Sequence, residues 1–363
     1  MEDELKLYPF KMLPIDETEG ECVQVADLGW QDSVVRNGWL AANTVSEIME
    51  MYMDRVVGEK TFAEFGRQFP LLVKFMDVPG KRTPLMVCPD DTVAAERYDF
   101  LGKAKLWYVK DAGPHARLGV GFAGDVEAAD FYSACRHGEV EPLLRIFKPQ
   151  VGEFHYIRPG QVHFAEDVTL VEVAESSPLD FRLFNWGKPV PGDEFDASLN
   201  LEAAFDFIDY SASVASGVAG ASDGSGASGT FSASGISAAS SASDAVGASE
   251  TPGAFGTSAA PGISGATAVA GICREFTVKR MDAEALTGTV PGKADSYKIY
   301  TCLNGSFSIQ ASAASGTKEK VRVQARESVI VPAEVQDYVV DPGSEDTIAL
   351  EITSNTGSTS LEN

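Results

Sequence analysis

One tract constrains this chain more than any other feature. From residue 211 to residue 269 Ser, Ala and Gly dominate, with a few Asp and isolated Phe, and no period places apolar side chains on one face. A segment of that composition cannot bury a core, so it is predicted as a disordered linker, and the globular structure must come from the chain on either side. The predicted layout is a first domain over 1–210, the linker over 211–269, a second, smaller domain over 270–354 and a polar tail over 355–363. A length of 363 residues allows two or three domains, and a hydrophobic fraction of 44% is enough to fill their cores.

Both flanks read as mainly β. In the first, V-Q-V-A-D-L at 23–28, F-P-L-L-V-K-F-M-D-V from Phe69, Leu85 to Val87, Lys105 to Val109 and L-G-V-G-F after His115 are predicted strands. So are a run ending at Ile157, then T-L-V-E-V-A and D-F-R-L-F-N-W beyond a Pro-Gly turn. Thr44-x-x-Glu47 fits a capping box ahead of Val45, Ile48, Met49, Tyr52 and Val56 at helical spacing. Further helices are predicted over T-F-A-E-F-G-R-Q closed by Gly66, around Val93 to Arg97, and from Val126 to about Phe147 with Asp125 as cap. After the linker, C-R-E-F-T-V-K-R, Y-K-I-Y-T-C-L-N-G-S-F-S-I, K-V-R-V, S-V-I-V-P-A and T-I-A-L-E-I alternate around Asn304-Gly305 and Pro332. Many short strands with Gly and Pro turns predict a β-barrel or sandwich, the first one with helical insertions.

Charge excludes several partner classes. The 29 basic residues against 53 acidic give a formal net charge of -24. Such a field repels phosphate backbones and anionic lipid, so neither nucleic acid nor a membrane surface is an expected partner. It equally means that any phosphorylated ligand needs a local cluster of cations. Cys22, Cys88, Cys135, Cys273 and Cys302 are odd in number and without finger-like spacing, which predicts a reduced compartment and no disulfide framework. The opening M-E-D-E-L-K-L-Y-P-F is acidic where a signal peptide would be basic, and no apolar run approaches the roughly 20 residues of a spanning helix, so a soluble, cytoplasmic protein is expected.

Several spaced motifs share one resemblance. L-M-V-C-P-D-D from Leu85 and G-K-A-K-L-W-Y-V ending at Val109 resemble Q-V-H-P-D-D and G-K-T-E-M-W-Y-V of the class I mannose-6-phosphate isomerases. F-P-L-L-V-K-F-M-D resembles that family's F-P-L-L-I-K-F-I-D, R-P-G-Q-V-H resembles P-A-G-T-x-H, and E-V-A-E-S-S-P-L-D-F-R-L-F-N-W-G-K resembles its late strand without a gap. The likeness covers almost all of residues 40 to 190 and is weaker in the second domain, where V-I-V-P-A and Leu303-Asn304-Gly305 carry it. It implies two cupin-type β-barrel or jelly-roll domains and a zinc site that isomerises mannose 6-phosphate to fructose 6-phosphate.

Carried over residue by residue, the implied site is altered. Lys103 stands at the family's active-site lysine, Glu172 at its late-strand acid and Arg182 at its active-site arginine, and these three are the candidate catalytic residues. Of the implied metal ligands only His163 is kept, with Cys88 as the candidate substitute; Met86 and Lys105 replace the other two. A thioether binds zinc poorly, and a cation beside a divalent ion is unfavourable unless it swings away or loses its proton. The family's W-G-G is absent, its G-E-S-W becomes Gly20-Glu21-Cys22-Val23, and Pro84 replaces a serine. Lys103, Lys105 and Arg182 are the candidate substrate-binding cations, and Lys105 also offers a fixed ammonium in place of the metal's charge. Cys88 reads first as a small buried hydrophobe and His163 as a hydrogen-bonded pocket residue without metal, while His115, His137 and His155 read as structural or surface and Trp107 and Trp186 as core.

Three readings follow. The first is a hexose 6-phosphate-binding homologue with weak or no isomerase activity. The second is an active isomerase whose metal site is rebuilt from Cys88, His163 and Glu172. The third is a non-catalytic regulatory or interaction protein.

Overall fold

The computed structural model describes residues 6–16, 20–187, 200–213, 269–291, 295–312 and 318–356. Residues 214–268 of the predicted linker and 357–363 of the predicted tail lie outside the described residues. No helix among the described residues is long and apolar enough to cross a membrane.

The chain opens with β1 (Phe10–Leu13), β2 (Ile15–Asp16), β3 (Glu21–Val25) and β4 (Val34–Val35), followed by helices α1 (Val45–Tyr52), α2 (Asp54–Val57) and α3 (Glu59–Phe65). Both halves of the predicted capping box form: the Thr44 hydroxyl accepts from the Glu47 amide at 3.2 Å, and the Glu47 carboxylate accepts from the Thr44 amide at 2.8 Å. The apolar spacing that predicted one helix through Val56 is divided instead at Met53, whose φ of 47° breaks the hydrogen-bond ladder. Strands β5 (Leu71–Asp77) and β6 (Leu85–Val87), helix α4 (Asp91–Tyr98), strand β7 (Lys105–Phe122) and helix α5 (Ala128–His137) come next. Then follow β8 (Leu144–Phe147), β9 (Phe154–Ile157), β10 (His163–Glu175), β11 (Phe181–Phe184) and α6 (Leu201–Ala204).

Two expectations are corrected here. The predicted helix from Val126 to Phe147 is α-helical only over α5, with one further 3-10 turn at Glu141–Leu143: Gly138 closes α5 with φ 77°, and Pro142 cannot donate to a continuing ladder. Its last residues form β8, whose Phe147 pairs with Leu118 of β7, and Asp125 accepts from the Ala212 amide instead of capping α5. The segments at Lys105 to Val109 and after His115, predicted as separate strands, are one strand, β7. It runs antiparallel to β10 from Lys105 opposite Ala174 to Val120 opposite His163, with register shifts between Glu166 and Val168 and between Thr169 and Leu170. Asp167 sits in the first shift with φ 51° and accepts from the amides of Gly80 and His115. A Cβ at Gly113 would lie 2.2 Å from the Asp167 carboxylate, so that approach requires glycine.

After the undescribed tract come β12 (Val269–Ile272), β13 (Phe276–Asp282), α7 (Ala283–Leu286), β14 (Gly288–Pro291), β15 (Lys298–Asn304) and β16 (Ser306–Ser312). Strands β17 (Lys318–Gln324), β18 (Ser328–Val331), β19 (Asp337–Pro342) and β20 (Ile348–Ser354) complete the order. The predominance of strand and the antiparallel pairing bear out the predicted mainly β, cupin-type fold. One sheet is built around β5, β7, β10, β6 and β11; a second runs β12-β13-β20-β15-β18-β1-β4; a small third runs β14-β19-β16-β17.

The second sheet crosses the undescribed tract. Phe10 of β1 pairs with Ile330 of β18, so the first strands complete a sheet made mostly of the last ones. One buried cluster likewise joins Phe10, Phe69, Phe75 and Leu106 to Phe276, Tyr297, Ile299 and Ile352. The five cysteines are free and buried.

Candidate functional site

The register of the first sheet brings its charged residues to one face. Directly opposite residues of an antiparallel pair project the same way. Glu172 of β10 is opposite Lys74 of β5 and Trp107 of β7; His163 is opposite Met86 of β6, which is opposite Arg182 of β11. Lys105 precedes Trp107 by two residues and shares its face. These apolar strands therefore carry a buried polar patch that must satisfy itself.

Its centre is the Lys105 ammonium. Nζ lies 3.2 Å from His163 Nε2 and 3.7 Å from Glu172 Oε2, and donates to Asp180 Oδ1. The other oxygen of Asp180 accepts from Lys103 Nζ at 2.5 Å, and the Cys88 thiol donates to Oδ1 at 3.2 Å. Glu172 Oε2 accepts from Trp107 Nε1 at 2.8 Å; its Oε1 makes no hydrogen bond among the described residues but faces Lys74 Nζ at 3.5 Å, and Lys74 also binds Glu21 at 2.9 Å. His163 Nδ1 lies 2.9 Å from the Gln161 carbonyl. A carbonyl only accepts, so the proton sits on Nδ1 and Nε2 is left to accept from Lys105.

Burial and neighbours fix the charge states. Burial pushes His163 down, and Lys105 adds to this, to a pKa of about 3, so the ring is neutral. Burial opposes ionisation of Glu172, but Lys105 and Lys74 overcome it and hold it at about 2. Burial likewise opposes the charges of Lys105 and Asp180; Asp180 answers for Lys105, and Lys103 and then Lys105 answer for Asp180, so Lys105 stays well above the lysine range and Asp180 well below the carboxylate range. The Cys88 thiol is pushed up by burial and then by Asp180, and keeps its proton.

Cys88 Sγ, His163 Nε2 and an Asp180 oxygen lie within 4.8 Å of one another, a donor set of the right type for zinc. Yet the Lys105 ammonium is in contact with two of the three donors, and the third retains its proton. At about 4 Å a unit charge and a dication repel by roughly 8 kcal/mol even at an effective dielectric of 20. With Lys105 charged, the residues present do not fit a divalent metal.

The structure thus gathers Cys88, His163, Lys103, Lys105 and Glu172, the residues the sequence singled out. Lys103 and Lys105 lie beneath Asp180: the Lys105 side chain is 1% exposed and that of Asp180 24%. Arg182 is half-buried on β11 and makes no ion pair among the described residues. Asp180, Lys74, Trp107 as a donor and Gln161 were not foreseen. A lysine inside the buried run L-L-V-K-F-M was a readable signal for Lys74, and two-residue spacing from Arg182 was one for Asp180. His155 is buried against Glu153 at 3.1 Å, and His115 and His137 are exposed, all away from this centre.

No protein-family model matches the chain. Two curated relatives from Bacillus subtilis are similar to it: GmuF, a probable mannose-6-phosphate isomerase, 31% identical over 179 residues, which are 48% of this chain and 54% of that protein, and the mannose-6-phosphate isomerase ManA, 29% identical over 171 residues, which are 47% and 52%. The chain thus matches about half the length of these relatives. The crystal structure of the mannose 6-phosphate isomerase from Bacillus subtilis superposes with a TM-score of 0.69 over 96% of this chain and 99% of that one at 19% identity. A zinc-bound mannose 6-phosphate isomerase superposes with a TM-score of 0.63 over 96% and 100% at 11% identity.

Proposed function

This chain belongs to the class I mannose-6-phosphate isomerase family, and on that premise we propose that it binds a hexose 6-phosphate and isomerises it weakly or not at all. The family reaction moves a proton between C1 and C2, which takes an acidified C–H beside a carbonyl and a base to carry the proton. The observation that carries this reading is the Lys105 ammonium seated among His163, Asp180 and Glu172. It supplies one positive charge and hydrogen bonds, but they are already spent on the protein's own carboxylates. Glu172 is held ionised by two lysines, which lowers its strength as a base. Arg182 is left to take the phosphate, and Asp180 to accept sugar hydroxyls, while Lys103 and Lys105 act through Asp180.

Calorimetric titration of mannose 6-phosphate and fructose 6-phosphate in chelator, with turnover measured on the same sample, tests this. Binding is expected to persist in chelator and to be lost in Arg182→Ala, with turnover at least about 100-fold below a zinc-loaded relative, the scale on which one preorganised electrostatic group matters. Turnover abolished by chelator would overturn it. That outcome belongs to a second reading, favoured by the Cys88, His163 and Asp180 grouping: an active isomerase with a remodelled zinc site, in which Asp180 takes the place first given to Glu172.

A further inference from the structure

We propose that Asp180 is a positioning residue that seats the Lys105 ammonium as a resident cation, so that this centre excludes exchangeable metal. Asp180 reaches in from the segment before β11, and that segment is fixed. The Ser176 amide donates to the Pro70 carbonyl at 2.9 Å, the Ser176 hydroxyl to the Asp27 carbonyl at 2.9 Å, and the Ser177 hydroxyl to the Leu101 carbonyl at 2.7 Å. The carboxylate so delivered has one oxygen on Lys105 and Cys88 and the other on Lys103.

Charge accounting points the same way. Lys74, Lys103 and Lys105 face Glu21, Glu172 and Asp180, three cations against three anions, around a histidine whose Nδ1 faces the Gln161 carbonyl and whose Nε2 faces the Lys105 ammonium. The centre is balanced as it stands, and a dication would leave it with two uncompensated positive charges away from water. Of the groups in contact with the Lys105 ammonium, Asp180 is the most exposed, its side chain 24% open against 1% for Glu172 and with His163 buried, so a ligand meets a carboxylate where a metal would otherwise stand. On the function proposed above, this favours a polyol with a single anionic group, its hydroxyls on Asp180 and its anion on Arg182. The exclusion of metal itself rests on Lys105 and Asp180 alone.

The test uses the full chain dialysed against cobalt(II) and desalted. Wild type is expected to retain less than about a tenth of an equivalent and to lack thiolate-to-cobalt absorption. Lys105→Glu, which replaces the ammonium by a fourth donor, is expected to retain about one equivalent with that absorption, and to lose the band when Cys88→Ser is added. If Lys105→Glu does not fold, Lys105→Gln serves, with the three existing donors and the same band. The positioning role is read from the His163 imidazole nitrogen resonances, assigned with His163→Gln. Asp180→Asn is expected to shift Nε2 and Asp180→Glu to restore it. Stoichiometric cobalt with a thiolate band in wild type, no uptake in a folded Lys105 variant, or an unmoved Nε2 in Asp180→Asn would each overturn the proposal. Failure of hexose phosphates to bind would instead sink only the proposed ligand.

Discussion

His163 and Glu175 are buried groups whose titrations have opposite consequences for stability. The folded pKa of His163, about 3, lies below its unfolded value of 6.5, so its contribution is complete above pH 6.5 and is lost as pH falls from 6.5 to 3. Between pH 6.5 and 5 this amounts to about 2 kcal/mol, at 1.4 kcal/mol per unit. Denaturant titrations of His163→Asn should show that slope flattened; an unchanged slope would mean that the ring is protonated in the native state. Glu175 goes the other way. Burial and then Asp91 push it up to about 8, while the Ala104 amide donates to it at 2.8 Å. Its folded pKa lies above the unfolded 4.5, so stability is lost as pH rises from 4.5 to 8. Glu175→Gln keeps an acceptor for Ala104 and should raise the unfolding free energy at pH 8 by about 1–3 kcal/mol, with no gain at pH 4.5.

At the scale of elements, the junction of β7 and β10 shapes the site, because the two register shifts lie between the end that carries His163 and the end that carries Lys105 and Glu172. Gly113→Ala would drive a methyl into the Asp167 carboxylate and displace it from the Gly80 and His115 amides. The expected cost is about 1–3 kcal/mol in unfolding free energy, recovered in part by Asp167→Gly; a neutral Gly113→Ala would mean that this loop adjusts freely. Such a junction also marks where the sequence stopped being legible. The strands at Leu85, Phe154 and Ile348 and the Thr44 cap could be read because period, turn residues and capping are local. Joining two runs into β7 depends on pairing with β10, which no local window contains, whereas the end of α5 was legible locally in Gly138 and Pro142. For the site, the motifs placed Cys88, Lys105, His163 and Glu172 by their strands. Asp180 escaped notice because its role rests on which lysines the fold places beneath it.

The molecule as a whole tests whether its two flanks are separable. Phe276, Val278, Tyr297, Ile299, Leu350 and Ile352 from the last third share one cluster with Phe10, Phe69, Phe75 and Leu106 from the first. Exposing each large apolar side chain costs about 1.5–3 kcal/mol. Losing even half of those six contacts would consume most of the roughly 5–15 kcal/mol by which a typical domain is stable. Polar contacts reinforce the seam: Arg55 forms an ion pair with Glu334, the Ala333 amide donates to Val56, and Arg326 pairs with Asp77. Residues 269–363 expressed alone lack β1, the partner of β18, and should be insoluble or molten, with weak near-ultraviolet dichroism. Co-expressed with residues 1–213, they should co-purify and regain a cooperative melt, because the shared core and the β1 to β18 pairing need no covalent join between 213 and 269. A cooperative melt from residues 269–363 alone would show instead that their own cluster around Tyr300, Phe307 and Val329 is sufficient.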